Sequence, residues 1–266
     1  MTFPPPPYPH PHPHQSHATR GVMAAVVCPH PPLLLPELFS GAGGTLDGLL
    51  AACDAAVADG LASGAERVVV VGAGQVTGRF DGRAPGAAAG FGVPVPDEPW
   101  TTSEPLPFGA GLPRPMPPTL PLSLTVGRFL LRRAGWAGPV EFWSVSAGAM
   151  PAECVSLGKR LSDGPSALWL VLGDGSGVGR NAPPGAAVPA AEPFDDAVWA
   201  ALGTVDTAAL LAVDPDEAAE LKAAGRAAWQ VLAGAVEADG GTWSARARHR
   251  ESPYGVGCFV VSWMRS

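Results

Sequence analysis

The sequence predicts an α/β protein, a single three-layer domain with a mainly parallel central sheet flanked by helices. Short apolar, β-branched runs such as Ala24-Ala25-Val26-Val27-Cys28 and Val68-Val69-Val70-Val71 read as strands buried on both faces. Segments with apolar residues at helical spacing stand between them, and this alternation is the order of a parallel sheet with crossover helices. At 266 residues, 47% hydrophobic and 15% charged, the chain can bury a sizeable core.

Residues 24–28 form the first strand, which stops at Pro29-His30-Pro31-Pro32, a rigid turn carrying an imidazole. Residues 46–63 form a helix, since Leu46, Leu49, Leu50, Cys53, Ala56, Val57 and Leu61 share one face and Gly64 can cap it. A strand over 67–71 ends at Gly72-Ala73-Gly74, and the Gly- and Pro-rich residues 75–119 read as a covering loop, an excursion or a lid. A helix over 120–134, a strand over 140–146 and a helix over 151–161 with Pro at its start come next. A strand over 167–172 runs into Gly173-Asp174-Gly175-Ser176-Gly177, and residues 178–191 form another loop. Residues 192–202, 207–212 and 215–235 are helical, and 257–263 is a last strand. No internal repeat is visible. Right-handed crossovers set the strand C-termini along one rim, so His30 and residues 72–74, 144–148 and 173–177 are expected to meet there.

The domain is expected to span residues 22–266, after a Pro/His-rich segment of residues 1–21 with the composition of an extended, disordered tail. Four of the six histidines lie in that segment. Imidazole suits zinc, copper and nickel, but a solvated tail with adventitious affinity is the expectation.

A net charge of −7 argues against nucleic acid or an acidic membrane surface as partner. No apolar run reaches membrane-spanning length, and no basic stretch precedes an apolar core as in a signal peptide. The four cysteines, Cys28, Cys53, Cys154 and Cys258, form no CxxC pair. They are expected to be reduced, mostly buried thiols of a cytoplasmic protein, with no structural zinc.

Gly72-Ala73-Gly74-Gln75-Val76-Thr77-Gly78 follows a strand like a dinucleotide-binding turn. Arg79-Phe80-Asp81-Gly82-Arg83-Ala84-Pro85 is no helix, however, and Asp97, in a Pro-rich loop, does not stand where a ribose-binding acid should. A tight strand-to-loop turn is the better reading. The run from Gly173 through Gly175 to Arg180 offers successive backbone N–H groups for an anion-binding nest. It is neither a Walker loop nor a nucleophile elbow. Two roles stay open for Asp174 and Ser176: holding the turn's backbone, or catalysis. Glu37 can orient or ligate beside His30, or be solvated. His249, in a basic run, reads as a surface residue, and the tryptophans read as packing.

These residues together resemble the class III extradiol ring-cleavage dioxygenases, in their LigB-like catalytic-subunit domain, over roughly residues 22–264. The likeness rests on ordered pieces: Cys28-Pro29-His30-Pro31, then Gly72-Ala73-Gly74, then Pro139-Val140-Glu141-Phe142-Trp143-Ser144-Val145-Ser146. Leu170-Val171-Leu172-Gly173-Asp174-Gly175-Ser176, Glu192-Pro193-Phe194-Asp195 and Ala224-Gly225-Arg226-Ala227-Ala228-Trp229 follow. The resemblance implies iron(II) held by two histidines and a glutamate, a further histidine as acid–base, and a catechol-type substrate. It places His30 as the first metal ligand. It puts the second histidine near Gly74, the acid–base histidine near Gly175-Ser176 and the glutamate near 226–228, and none of those residue types stands there.

Three functions follow. One is a dioxygenase-like oxidoreductase in which Glu37, Asp81, Asp174 or Glu192 completes a site around His30. Another is a pseudoenzyme, a non-catalytic descendant whose cleft takes a small aromatic or anionic molecule, or a partner, through Gly74, Gly173 and Gly175. The third is a metal-free hydrolase or transferase using Asp174 and Ser176. For mechanism the residues favour the second. Related domains associate, so the resemblance also allows a homodimer.

Overall fold

The computed structural model describes residues 21–35, 46–86, 100 and 119–266. Seven strands make one sheet in the order β3-β4-β2-β5-β1-β7-β6. They are β1 (Val22–Cys28), β2 (Arg67–Gly74), β3 (Gly78–Phe80), β4 (Val140–Ser146), β5 (Ala167–Leu172), β6 (Trp243–Glu251) and β7 (Cys258–Arg265). The central four, β4-β2-β5-β1, are parallel, and β3, β7 and β6 join antiparallel at the two margins. The helices are α1 (Asp47–Leu61), α2 (Leu122–Arg133), α3 (Pro151–Ser162), α4 (Ala191–Thr204), α5 (Thr207–Leu211), α6 (Pro215–Glu220) and α7 (Arg226–Asp239).

Strand side chains alternate between two buried faces. Val68, Val70, Leu170 and Leu172 pack with Leu49 and Cys53 of α1 and Leu124 and Leu130 of α2. Val69, Val71, Trp169 and Val171 pack with Leu157 of α3, Phe194 of α4 and Trp229 and Leu232 of α7. The expected three-layer α/β domain is the observed one, and the runs read as valine-rich strands are buried on both sides.

Three local expectations are corrected. The helical stretch 215–235 is two helices, because Lys222 adopts φ 55° and breaks the run after α6. The basic run around His249 belongs to β6, nine residues paired with β7. His249, read as a surface residue, is half-buried there, and Arg248 bonds Asp59 and Ser262. The supposed loop after Gly74 contains β3, which turns back on β4. Residues 79–86 form no helix, so this turn does not open the helix N-terminus that a dinucleotide's pyrophosphate would meet. Residues 87–99 and 101–118 of that loop, Glu37, and residues 1–20 of the Pro/His-rich segment lie outside the described residues. Gly21 already bonds Gly164 and Ala167.

α3 and α7 meet at glycines. A Cβ on Gly158 would lie 2.1 Å from the Val231 carbonyl oxygen, and one on Gly234 would lie 2.6 Å from the Val155 Cα. Backbone fills both spaces, so neither can relax. Gly158→Ala is expected to destabilise by about 1–3 kcal/mol through overpacking. Gly203→Ala in α4, with nothing within 4 Å of the added carbon, is expected to stabilise by up to about 1 kcal/mol through helix propensity. Urea unfolding of the two variants measures both; equal effects would refute the close-contact account.

Candidate functional site

The rim forms where β1 and β5 end side by side. Gly173 N–H donates to the Cys28 carbonyl, extending the β1–β5 pairing by one bond. The chain after β1 turns at Pro29, and His30 N–H donates to Asp174 Oδ1 at 2.7 Å. This places the His30 ring against the same carboxylate, with Nδ1 3.7 Å from Oδ1. That distance suits an ion pair if the ring is protonated but is too long for a hydrogen bond. His30 is only 7% exposed, and among the described residues its buried Nδ1 has no hydrogen-bond partner.

The loop after β5 is stitched down at nearly every residue. Gly175 N–H bonds Gly257, Gly177 N–H bonds Leu221 and Gly179 N–H bonds Gly255. Ser176 N–H donates to Asp195 Oδ1 and its hydroxyl to Oδ2, each at 2.8 Å. These groups therefore make no anion-binding nest: their donors already have acceptors. Arg180 is not turned toward them either, since it pairs with Glu192 at 2.5 Å. Ser176 is fully buried, so its hydroxyl holds the loop to α4 and stands beside no base that a substrate could reach. Of the two roles left open for Asp174 and Ser176, both side chains are engaged in holding backbone: Asp174 accepts from His30 N–H, and Ser176 is tied to Asp195.

The candidate glycines serve packing. A Cβ on Gly173 would meet Gly225 Cα at 2.6 Å, and one on Gly175 would meet Asp195 Oδ1 at 2.6 Å and Phe259 at 2.8 Å. Gly74 packs on Ser144 but also lines a cavity of about 420 Å³ with Val76, Phe80 and Leu120. The strand ends do converge in pairs, with His30 at Asp174 and Ala147 N–H on the Gly74 carbonyl.

Around His30 the implied ligands do not gather. Asp174 is near, Asp81 is held by Arg83, Glu192 by Arg180, and His249 sits 3.3 Å from Glu251. Among the described residues no group of three or more His, Cys, Asp or Glu is arranged to hold a metal ion. Those residues do not fit the two-histidine, one-glutamate set. Thiols do not substitute for it. Cys28, Cys53 and Cys258 lie buried beneath the rim. A hydrogen bond donated to Cys28 and burial hold the Cys53 thiol well above its usual range, and burial with the Asp174 charge pushes Cys258 up. Thiols kept neutral are poor nucleophiles and poor ligands.

Two polar elements escaped the sequence. Asp195 is the buried partner of the loop, and Arg226 is a buried guanidinium bonding the carbonyls of Ala147 and Ala149 and the side chain of Gln230. Asp195 stood inside a quoted segment, yet nothing in its spacing marks it as a loop clamp.

Burial raises the Asp195 carboxyl above 3.8, against the opposing pull of its bonds from Ser176. The folded state then holds this proton more tightly than the unfolded state. Stability contributed by the protonated form is present at low pH and lost as pH rises from 3.8 through the folded value. Asp195→Asn is expected to remove that slope. Urea unfolding of both proteins across acidic pH measures it as their difference; a difference that grows in the wild type's favour with rising pH would reverse the assignment.

No family model matches the chain, and no curated protein matches it. Among solved structures it is similar to the uncharacterized protein JW3007 from Escherichia coli K12, with a TM-score of 0.51 and 16% identity. The match covers 91% of this chain and 99% of that one. At that identity the likeness is one of fold, spanning the sheet and its flanking helices.

Proposed function

We propose that this protein is a non-catalytic descendant of the extradiol dioxygenase fold that binds a small aromatic or anionic molecule at His30. One observation carries the reading: among the described residues the buried His30 Nδ1 has no partner, and the Asp174 oxygen nearest to it already accepts from the His30 backbone. Buried polar atoms in folded proteins are nearly always bonded, so an open one at a strand-end rim marks a place for a bound molecule. A phenolic hydroxyl donating to the ring is the simplest complement, and Asp174 steadies the ring when it gains a proton. The four buried, free cysteines support a reducing compartment such as the cytoplasm. No described helix is long and apolar enough to cross a membrane.

The catalytic form of the reading is iron(II) at His30 with cleavage of a catechol. What favours it is the position of His30 at the end of β1, where the resemblance places a ligand. It needs ligands from outside the described residues, Glu37 among them.

Two measurements on the full chain decide between them. Under nitrogen, titration with catechol is expected to move one imidazole NMR resonance saturably, and that resonance is absent in His30→Ala. If no resonance assigned to His30 moves, ligand binding there is wrong. Anaerobic iron(II) loading is expected to give equal bound metal in wild type and His30→Ala, since the histidines of residues 1–21 contribute alike to both. One extra equivalent in the wild type would replace the non-catalytic reading with the dioxygenase one.

A further inference from the structure

Most charges on this rim are matched. Arg180 meets Glu192, Arg250 meets Asp196 and Arg83 meets Asp81. The polar cavity beside Asp195 is lined by several of these pairs and so has little charge to offer a ligand. A second cavity, of about 460 Å³, differs. Arg226 and Lys222 both line it, and Asp216 is its one acidic wall residue. Among the described residues neither cation has a carboxylate within 4.0 Å.

Arg226 is 2% exposed. Its Nη1 donates to the Ala149 carbonyl at 2.6 Å and Gln230 Oε1 at 2.9 Å, and the other Nη donates to the Ala147 carbonyl. Neutral dipoles satisfy these donors but leave the full positive charge uncompensated in a low-dielectric wall. Arg226 also opens α7, whose N-terminal end adds partial positive charge on the same side. Lys222 is exposed and sits at φ 55°, a left-handed conformation where glycine or asparagine is the unstrained choice. Its ammonium adds a second positive charge to the wall that already carries a buried guanidinium. The remaining walls are small and apolar, with Ala218, Ala223 and Ala227 inside and Met150 more than half exposed at the edge.

We propose that this cavity is an anion site for a small molecule with one anionic head and an apolar body, a carboxylate being the simplest case. The head meets the ammonium of Lys222 in the field of Arg226. The body lies on the alanine and methionine walls. The site does not depend on the reading of His30, although the two adjoin: Gly225, next to Arg226, donates its N–H to the Asp174 carbonyl.

The test is calorimetric titration of the full chain with benzoate and, separately, with inorganic phosphate. Lys222→Asn removes the charge while keeping a residue that tolerates the left-handed backbone, and circular dichroism checks its fold. Benzoate is expected to bind saturably, about tenfold more weakly in Lys222→Asn, with affinity restored in Lys222→Arg and unchanged in His30→Ala. Phosphate, lacking the apolar body, is expected to bind more weakly than benzoate. Absence of saturable benzoate binding, or equal affinity in Lys222→Asn, overturns the site. Phosphate binding as tight as benzoate overturns the role of the apolar walls. Benzoate binding lost in His30→Ala but kept in Lys222→Asn overturns the proposal and assigns the ligand to His30.

Discussion

The rim depends on one constraint: the backbone of residues 173–179 is buried, and a buried N–H or carbonyl must find a partner. The partners come from four directions. They are Cys28 at the end of β1, Gly257 and Gly255 at the entry to β7, Leu221 after α6, and Gly225 before α7, which donates to Asp174. One loop thus ties the sheet to both its antiparallel margin and the α6–α7 side. The glycines follow from this, since close approach at Gly173 and Gly175 leaves no room for a side chain. So does the position of His30, because the side chain of Asp174 is the acceptor for the His30 backbone while its own carbonyl is held by Gly225.

The same constraint separates what the sequence made legible from what it hid. Strands buried on two faces announce themselves through short apolar runs, and the span 167–172 coincides with the fully buried β5. Burial is a local demand, so local composition reports it. β6 answers to a different demand. Its arginines are matched by Asp59 and Asp196, carried on α1 and α4 far away in sequence, so its alternating basic pattern looks like solvated chain. The break at Lys222 was hidden for a similar reason: a left-handed lysine is set by what surrounds it, and no propensity predicts it. The glycine-rich turns told where the chain bends sharply. They did not tell whether the freed N–H groups would face a ligand or a neighbouring carbonyl, and here they face carbonyls.

His30 and Asp174 show how far a strand-end histidine can be read. Its location follows from the prolines around it. Its chemistry depends on residues that only the tertiary fold brings near, and among those described the fold brings one carboxylate and three buried cysteines. The hydrogen bond with Cys28 and burial raise the Cys53 thiol, and burial with the nearby charges of Asp174 and Glu251 raises Cys258. Cys53 and Cys258 below His30 therefore offer no thiolate to a soft metal, while among the described residues the ring nitrogen Nδ1 stays open to a donor from a bound molecule.

Across the sheet the balance reverses. Arg226 and Lys222 leave positive charge unmatched on the α3 and α7 side, while the carboxylate of Asp174 and the thiols lie on the β1 side. The loop after β5 runs between the two, and its backbone bonds rather than its side chains keep them apart. A molecule with a hydroxyl at one end and a carboxylate at the other would match both polarities. Whether a single ligand could span them is decided by that loop: its bonds to Leu221, Gly225 and Gly257 would have to open to join the sites. Because each opened bond would leave a buried donor or acceptor unsatisfied, the loop keeps the two proposed sites separate rather than one continuous cleft.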